Sequence, residues 1–237
     1  KLVIINFDDS YENQIRYAKP ILDKYGFNAT FFEVCERIDN PTGWWILQKM
    51  QKEGMDIQAH TMTHPNVNEL SRSMLDTELR KAKECFLNNG INATIFAYPN
   101  ARGWNNETVL HEVARNYDLA RTDSDHPLTF LNCDLWNGIS YGIEANDSSN
   151  TLPSCELSGL PLSSIQQTFG SSRYAINSLS QKHIVGDYDY SNSSCIGPCE
   201  FYNNSQMLDR FIQAVNSQTK FNEDGTIRAI PIVVYHS

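Results

Sequence analysis

The stretch GMDIQAHTMTHP, residues 54–65, passes from a strand pattern into a polar loop. Its segment MDIQA predicts a short strand. Two threonines disfavour a helix, and the proline after His64 pushes that histidine towards extended backbone. Histidines four apart on a helix form a common metal-binding pattern. Here, however, His60 and His64 are predicted to lie in a loop that follows a strand, and the rest of the chain must show what else reaches that loop.

The first half of the chain alternates predicted strands and helices around this stretch. The strands are KLVIINF (1–7), ATFFEV (29–34), MDIQA (55–59), ATIFAY (93–98) and DLARTD (118–123). Glycines end the helices between them, and the helix of residues 71–89 carries a clear apolar stripe behind a Ser71 cap. Strands that alternate with helices in this way imply parallel βα units.

The second half is less regular. Residues 126–203 are rich in Ser, Asn, Gly and Pro and contain four of the six cysteines, so they are interpreted as an elaborated loop insertion with one candidate strand, KHIVGDY. An amphipathic helix and the strand IPIVVYHS (230–237) follow. About seven strands with helices between them favour an α/β fold, a (β/α) barrel of parallel strands. A single domain is predicted over residues 1–237.

Composition excludes some classes of function. The 237 residues carry a formal charge of −9 and a pI near 5.1, which disfavours nucleic acid as a partner because binding there depends on neutralising phosphates. The longest apolar runs have the length of strands, so no membrane span is predicted.

The six cysteines lack the spacing of a structural zinc site. Cys133 with Cys155, and Cys195 with Cys199, are candidate disulfides, whereas Cys35 and Cys85 are predicted to be buried free thiols. Six N-x-S/T sequons start at Asn28, Asn92, Asn106, Asn146, Asn192 and Asn203. Cysteines and sequons together favour an extracytoplasmic location.

Polar residues follow four of the predicted strands. They are Asp8 and Asp9, His60 and His64, Tyr98 and Asn100, and His236. Each motif alone has a plain structural explanation, such as a helix cap or a surface histidine. Because a (β/α) barrel brings the carboxyl ends of its strands to one face, the motifs together predict an active site there.

Two histidines and one carboxylate leave coordination positions open, which is typical of a catalytic metal site. Such a site lowers the pKa of a bound water and polarises a carbonyl group. The neighbouring carboxylate is then available to take a proton from the attacking water, and a second proton-transfer group is expected opposite that base.

The motifs NFDD, HTMTHP, FAYPN and VVYHS resemble, in this order, those of the polysaccharide deacetylases, carbohydrate esterase family 4. The resemblance runs from residue 2 to about residue 122 and returns at residues 230–237. It implies a distorted (β/α) barrel. It also implies removal of N-acetyl, sometimes O-acetyl, groups from a glycan, with one divalent metal ion, commonly zinc.

Carried over by position, the resemblance implies Asp8 as general base and Asp9, His60 and His64 as metal ligands. It implies His236 as the acid that protonates the leaving amine. A backbone N–H near Asn100 is expected to hold the oxyanion together with the metal.

The sequence departs from the family in its fourth-strand motif. Many members carry an arginine there that steadies the base, but this chain has Ala97, and Asn100 replaces the usual tyrosine. We expect Arg121 to pair with Asp8 instead, with Arg102 as the second choice. Asp123 and Asp125 are the candidates to orient His236.

Aromatic rings near the predicted site are candidates for sugar stacking. Tyr98 and Trp104 are the best placed, while Trp44, Trp45 and Trp136 compete with a core-packing role.

The leading hypothesis is a metal-dependent deacetylase of an N-acetylated polysaccharide outside the cytoplasm. A non-haem iron oxygenase would use Asp9, His60 and His64, but would leave Asp8 and His236 without a role. A glycan-binding or structural envelope protein on an inactive deacetylase fold is the other alternative. The sequence does not identify the glycan.

Overall fold

The computed structural model describes residues 1–38, 40–123, 129–130, 178–181, 184–189, 194–222, 225, 227 and 229–236. The strands are β1 (Ile4–Asp8), β2 (Thr30–Glu33), β3 (Asp56–Ala59), β4 (Ile95–Ala97), β5 (Leu119–Arg121), β6 (Thr129–Phe130), β7 (Leu179–Gln181), β8 (Ile184–Asp189), β9 (Ser194–Phe201), β10 (Ala229–Ile230) and β11 (Ile232–Tyr235). The α-helices are α1 (Lys19–Tyr25), α2 (Pro41–Lys52), α3 (Arg72–Asn88), α4 (Glu107–Asn116) and α5 (Asn204–Ser217).

Seven strands form one parallel sheet in the order β5-β4-β3-β2-β1-β11-β7. Two short antiparallel pairs, β6 with β10 and β8 with β9, lie outside that sheet. In the main sheet β1 lies between β2 and β11, so that Phe7 pairs with Phe31 on one side and with Tyr235 on the other. Parallel pairing brings the carboxyl ends of the strands to a common edge, as the predicted site requires.

The sheet curls so that its outermost strands approach each other. Ser178, which directly precedes β7, donates from its hydroxyl to the carbonyl of Thr122 at 2.7 Å, and Thr122 directly follows β5. The same hydroxyl accepts from Arg121 Nη1 at 3.3 Å. Side chains therefore join strands that the backbone ladder leaves apart. The expected α/β architecture of about seven parallel strands, curled as in a distorted barrel, is confirmed.

The helices bury apolar stripes against the sheet. On α3 the buried residues are Leu75, Leu79, Ala82 and Phe86, and Ser71 caps the helix by accepting from the amide of Met74 at 3.3 Å. Met74, which the sequence placed in the same stripe, is 56% exposed, because it lies at the margin of the buried face. Among the described residues, no helix is both long and apolar enough to cross a bilayer.

The prediction for Cys35 and Cys85 is wrong in one respect. The two residues form a disulfide with a Cα–Cα distance of 6.5 Å, which ties the 3₁₀ turn Cys35–Arg37 to α3. Cys35 is buried, as predicted, but it is not a free thiol. The proposed disulfides of Cys133 with Cys155 and of Cys195 with Cys199 lie outside the side chains that the structure describes.

The five strands predicted in the first half of the chain are present, and the candidate strand KHIVGDY corresponds to β8. Strand β7 was not predicted. Residues 131–177 lie outside the described part of the chain, so the single domain and the insertion at 126–203 stay predictions.

Candidate active site

Three predicted ligands converge where β1 and β3 end. Asp9 Oδ1 lies 2.9 Å from His64 Nε2 and 3.4 Å from His60 Nε2, and one potential ligand atom from each residue lies within 4.8 Å of the others. His60 and Asp9 are buried, and His64 is half-buried. The sequence placed these residues together by the strand-end argument, and the structure brings them into a single cluster.

The chemistry of this cluster fits a divalent metal ion. His60 Nδ1 lies 2.8 Å from the carbonyl of Ala97 and can only donate to it, so in the neutral imidazole the lone pair is on Nε2, which faces Asp9. A histidine whose second nitrogen donates to a backbone carbonyl is the usual arrangement of a metal ligand. Two imidazole nitrogens and one carboxylate are ligands that zinc accepts in open catalytic sites.

The backbone around the cluster is unusual. Among the described residues, six other than glycine have positive φ: Asp9, Ser10, Thr61, His64, Asn100 and Ala101. All six follow β1, β3 or β4 at the carboxyl edge of the sheet. Such conformations cost free energy and cluster at functional sites, where the surroundings hold them. Within the histidine loop, Thr61 Oγ1 accepts from the amide of His64 at 2.9 Å.

Asp8 pairs with Arg121 in the structure. Arg121 Nη2 lies 2.6 Å from Asp8 Oδ1 and 2.5 Å from Oδ2, and both side chains are buried. The guanidinium also lies over the ring of Phe32, 4.8 Å from its centroid. Burial by itself would raise the pKa of Asp8, but the charge of Arg121 and the nearby imidazoles of His236 and His60 outweigh it and hold the pKa well below its usual range. Asp8 is therefore ionised at neutral pH.

The position of Arg121 explains how it reaches the base. Ala97, where the related motif has arginine, is the direct register partner of Arg121 on the adjacent strand. The guanidinium of Arg121 therefore reaches the site from β5, at the same height along the sheet as residue 97 of β4. Arg102, the second choice, is exposed. Among the described residues, Arg121 is the permanently charged side chain that forms an ion pair with Asp8.

His236 approaches the same carboxylate from β11. Its Nε2 lies 3.6 Å from Asp8 Oδ2, so the imidazole lies beside the base, whereas the sequence argument placed it opposite. Burial would lower the pKa of His236, but the adjacent carboxylate of Asp8, with the charges of Asp9 and Asp123, raises it above its ordinary value. Of the two predicted orienting residues, Asp123 thus contributes charge, while Asp125 lies outside the described residues.

Sequence reasoning missed Glu33, the last residue of β2. Its side chain is buried, and burial with the charges of Asp8 and Asp9 raises its pKa to about 7. It also missed Arg37, whose Nη1 donates to the backbone carbonyl of Asp9 at 2.8 Å. The signal for Glu33 was available, because a carboxylate at a strand end is the pattern that identified Asp8.

The aromatic predictions are partly wrong. Tyr98 is only 2% exposed, and its ring packs edge-on against Phe96 at 5.1 Å, so it is a core residue without a surface for sugar stacking. Trp44 is also buried, against Phe86. Trp104 is half-buried against the core and Trp45 is exposed, while Trp136 lies outside the described residues.

Comparisons with known proteins find relatives of this chain. Residues 1–120 match a family model described as polysaccharide deacetylase. The putative polysaccharide deacetylase YxkH of Bacillus subtilis is 31% identical over 125 residues, which cover 52% of this chain and 44% of that protein. The chain thus spans less than half the length of this curated relative.

Two solved structures are similar to this chain. The Streptococcus pyogenes deacetylase PplD in complex with acetate has 31% identity and a TM-score of 0.48, and the match covers 52% of this chain and 56% of that one. A family 4 acetyl xylan esterase from Clostridium thermocellum in complex with a cobalt ion has 23% identity and a TM-score of 0.45, over 57% of this chain and 61% of that one.

Proposed function

This chain belongs to the polysaccharide deacetylase family, and we propose on that basis that it hydrolyses N-acetyl groups of a polysaccharide or cell-surface glycan. One observation carries the proposal: the cluster of Asp9, His60 and His64 lies beside a buried, ionised Asp8. A protein that only binds glycan does not require a general base beside its metal ligands, so this arrangement favours the hydrolase.

Asp9, His60 and His64 are the proposed ligands of a divalent cation, and zinc is the proposed ion. When bound, such an ion supplies Lewis-acid polarisation of the acetyl carbonyl and makes water more acidic.

Asp8 is the proposed general base. Its carboxylate is ionised at neutral pH and can accept the proton of the attacking water. Arg121 is the proposed positioning residue for this base, because its Nη2 contacts both carboxylate oxygens and its Nη1 is held by the hydroxyl of Ser178.

His236 is the proposed acid. An amine leaves poorly unless it is protonated, so a proton donor is needed when the C–N bond breaks. Despite its burial, the pKa of His236 is raised above its ordinary value by the charges of Asp8, Asp9 and Asp123, which favours the protonated imidazole that this role requires.

The amide of Asn100 is the proposed donor to the oxyanion. The next two amides already donate, Ala101 to the carbonyl of Tyr98 and Arg102 to that of Pro99. The left-handed backbone at Asn100 turns the chain at the carboxyl end of β4. A preorganised backbone donor at this point would stabilise the charge that develops on the acetyl oxygen.

An extracytoplasmic location is proposed together with this substrate class. The Cys35–Cys85 disulfide supports it, because such bonds persist in oxidising compartments. Chitin oligomers, poly-N-acetylglucosamine and peptidoglycan fragments are the candidate N-acetylated substrates, and acetylated xylan, which carries O-acetyl esters, is tested beside them.

The test is acetate release from these four substrates by zinc-loaded protein, by Asp8→Asn and by protein treated with a chelator. We expect release from at least one substrate, a loss of roughly 10² to 10⁴-fold in Asp8→Asn, and recovery on adding zinc after chelation. Asp23→Asn is the matched control, because Asp23 is an exposed carboxylate on α1.

The outcome also separates this proposal from its alternative. If the protein binds one metal ion tightly but releases acetate from none of the substrates, the deacetylase proposal is contradicted. The weight would then move to a glycan-binding or structural protein.

A further inference from the structure

We propose that Glu78 on α3 is a positioning residue for the histidine loop, residues 60–64. The inference rests on the proposed function, because the loop carries two of the three proposed metal ligands. It assigns a role to a side chain that the proposed chemistry does not use.

Glu78 binds the loop with both carboxylate oxygens. Its Oε2 accepts from the amides of Met62 at 3.1 Å and Thr63 at 2.9 Å, and its Oε1 accepts from the hydroxyl of Thr63 at 2.9 Å. Two adjacent backbone amides and one side chain thus meet a single carboxylate. Hydrogen bonds to an ionised acceptor are about twice as strong as neutral ones.

The loop needs such support because its backbone is strained. Thr61 and His64 both have positive φ, a conformation that persists only when surrounding contacts fix it. The bonds of Glu78 fall on the residues between them. A loop free to relax towards negative φ would move His64 away from Asp9, whose carboxylate now lies 2.9 Å from its ring.

A second element holds the other side of the loop. The amides of Cys35 and Glu36 donate to the carbonyls of Thr61 and Met62 at 3.2 and 3.0 Å. These contacts use carbonyl groups, whereas Glu78 binds N–H groups, so neither element substitutes for the other.

Helix α3 is a firm base for this contact. Its buried residues Leu75, Leu79, Ala82 and Phe86 fix the helix against the core. Cys85 ties the same helix to Cys35. Because α3 is fixed in this way, the hydrogen bonds of Glu78 hold the histidine loop at a defined position relative to the helix. The side chain of Glu78 is half-buried.

The test measures Co²⁺ binding by Glu78→Ala, with Glu84→Ala as matched control. Glu84 lies on the same helix and forms an ion pair with Arg80 at the surface. We expect Glu78→Ala to raise the Kd for Co²⁺ by roughly 10- to 100-fold, as for other groups that orient ligands. The visible absorption spectrum of bound Co²⁺ should also change, whereas Glu84→Ala should leave Kd and spectrum as in the wild type.

A wild-type Kd and spectrum in Glu78→Ala would overturn the inference. If that variant does not fold, Thr63→Val decides, because it removes only the hydroxyl bond: a Kd raised several-fold supports the inference and an unchanged Kd contradicts it.

Amide hydrogen exchange of metal-free protein separates this inference from the proposed function. If the wild type takes up no Co²⁺, the proposed metal site fails. Faster exchange at Met62 and Thr63 in Glu78→Ala alone would still support the role of Glu78 in holding the loop, and equal exchange in all proteins would overturn it.

Discussion

Arg121 and Ala97 show how a positive charge can reach Asp8 from the neighbouring strand when the residue on β4 carries none. They are register partners on neighbouring parallel strands, and such strands lie only about 4.8 Å apart. A long side chain on β5 can therefore bring its guanidinium to a carboxylate that a residue on β4 would otherwise contact. The structure shows that contact with Asp8, and the absence of arginine at residue 97 is accordingly no sign of a missing charge.

We predict that Arg121→Ala lowers kcat/KM by roughly 10- to 100-fold. Without the guanidinium, burial dominates and the pKa of Asp8 rises, so the acidic limb of the pH–rate profile moves to higher pH. Arg121→Lys keeps the charge but loses the planar guanidinium that contacts Asp8 and Ser178 through different nitrogens, so its rate should be intermediate. An unchanged rate in Arg121→Ala would show that Arg121 does not support the base.

A second prediction concerns Glu33. Its pKa is about 7 in the folded protein and 4.5 as an ordinary glutamate, so the folded state binds the extra proton between these values. Its contribution to stability is thus fully present below about pH 4.5 and is lost as pH rises through about 7. From pH 5 to 8 the free energy of unfolding of metal-free wild type should fall relative to Glu33→Gln by up to about 3 kcal/mol.

Urea unfolding of both proteins at several pH values measures this difference. His236 is present in both proteins, so its titration contributes to both pH profiles. Parallel pH profiles for wild type and Glu33→Gln would contradict the prediction.

At the residue scale, the sequence predicted the members of the site better than their contacts. Asp9, His60 and His64 could be grouped because polar residues after buried strands are easily recognised. The burial of Tyr98 could not be predicted, because this residue lies just beyond the end of β4. A strand of three residues is too short for its alternation to show which side chains face the core. The location of His236 beside Asp8 depends on the pairing of β11 with β1, which spacing does not reveal.

At the scale of elements, the local sequence pattern was sufficient to predict the first five strands but not to predict β7. Those five are framed by glycines and helix caps, which act over a few residues. Strand β7 has the short sequence LSQ, and what makes it a strand is its parallel pairing with β11, about fifty residues later. Long-range pairing of this kind leaves no periodic signal in a three-residue segment.

The disulfide between Cys35 and Cys85 belongs to the same scale, because it joins two elements across 50 residues. We predict that the double variant Cys35→Ser/Cys85→Ser loses about 4 kcal/mol of unfolding free energy, the loop-closure value for this length. Urea unfolding measures it. A matching loss should follow reduction of the wild type with dithiothreitol.

The same variant has a built-in check. The double variant lacks the Cys35–Cys85 bond, so dithiothreitol cannot lower its stability by breaking that bond. Any loss of stability that dithiothreitol still causes in the variant comes from other disulfides. Equal stability of the wild type and the double variant would contradict the prediction.

At the scale of the whole molecule, metal binding should stabilise the fold. The proposed ligands come from β1 and β3, two strands separated in the sheet by β2, so the ion would join distant parts of the chain. A ligand that binds only the folded state at 100 times its Kd adds about 2.7 kcal/mol to the free energy of unfolding. We therefore predict that Zn²⁺ raises the Tm of chelator-treated protein.

His64→Ala is the comparison for this prediction, because it removes one ligand from a half-buried position. Its Tm should be nearly independent of Zn²⁺. A Zn²⁺-dependent rise of equal size in both proteins would place the binding elsewhere.

The pairing of β1 with β11 also has a consequence for biosynthesis. These strands are neighbours in the sheet but lie more than two hundred residues apart in the chain. Translation at about 5–20 residues per second leaves one side of β1 without its partner for roughly ten seconds or more. During that interval an unpaired edge in the middle of the future sheet can recruit the wrong strand. His236, the proposed acid, directly follows β11. The strand that covers the open edge of β1 therefore also brings the last proposed catalytic residue. A nascent chain cannot have a complete active site before β11 has been synthesised.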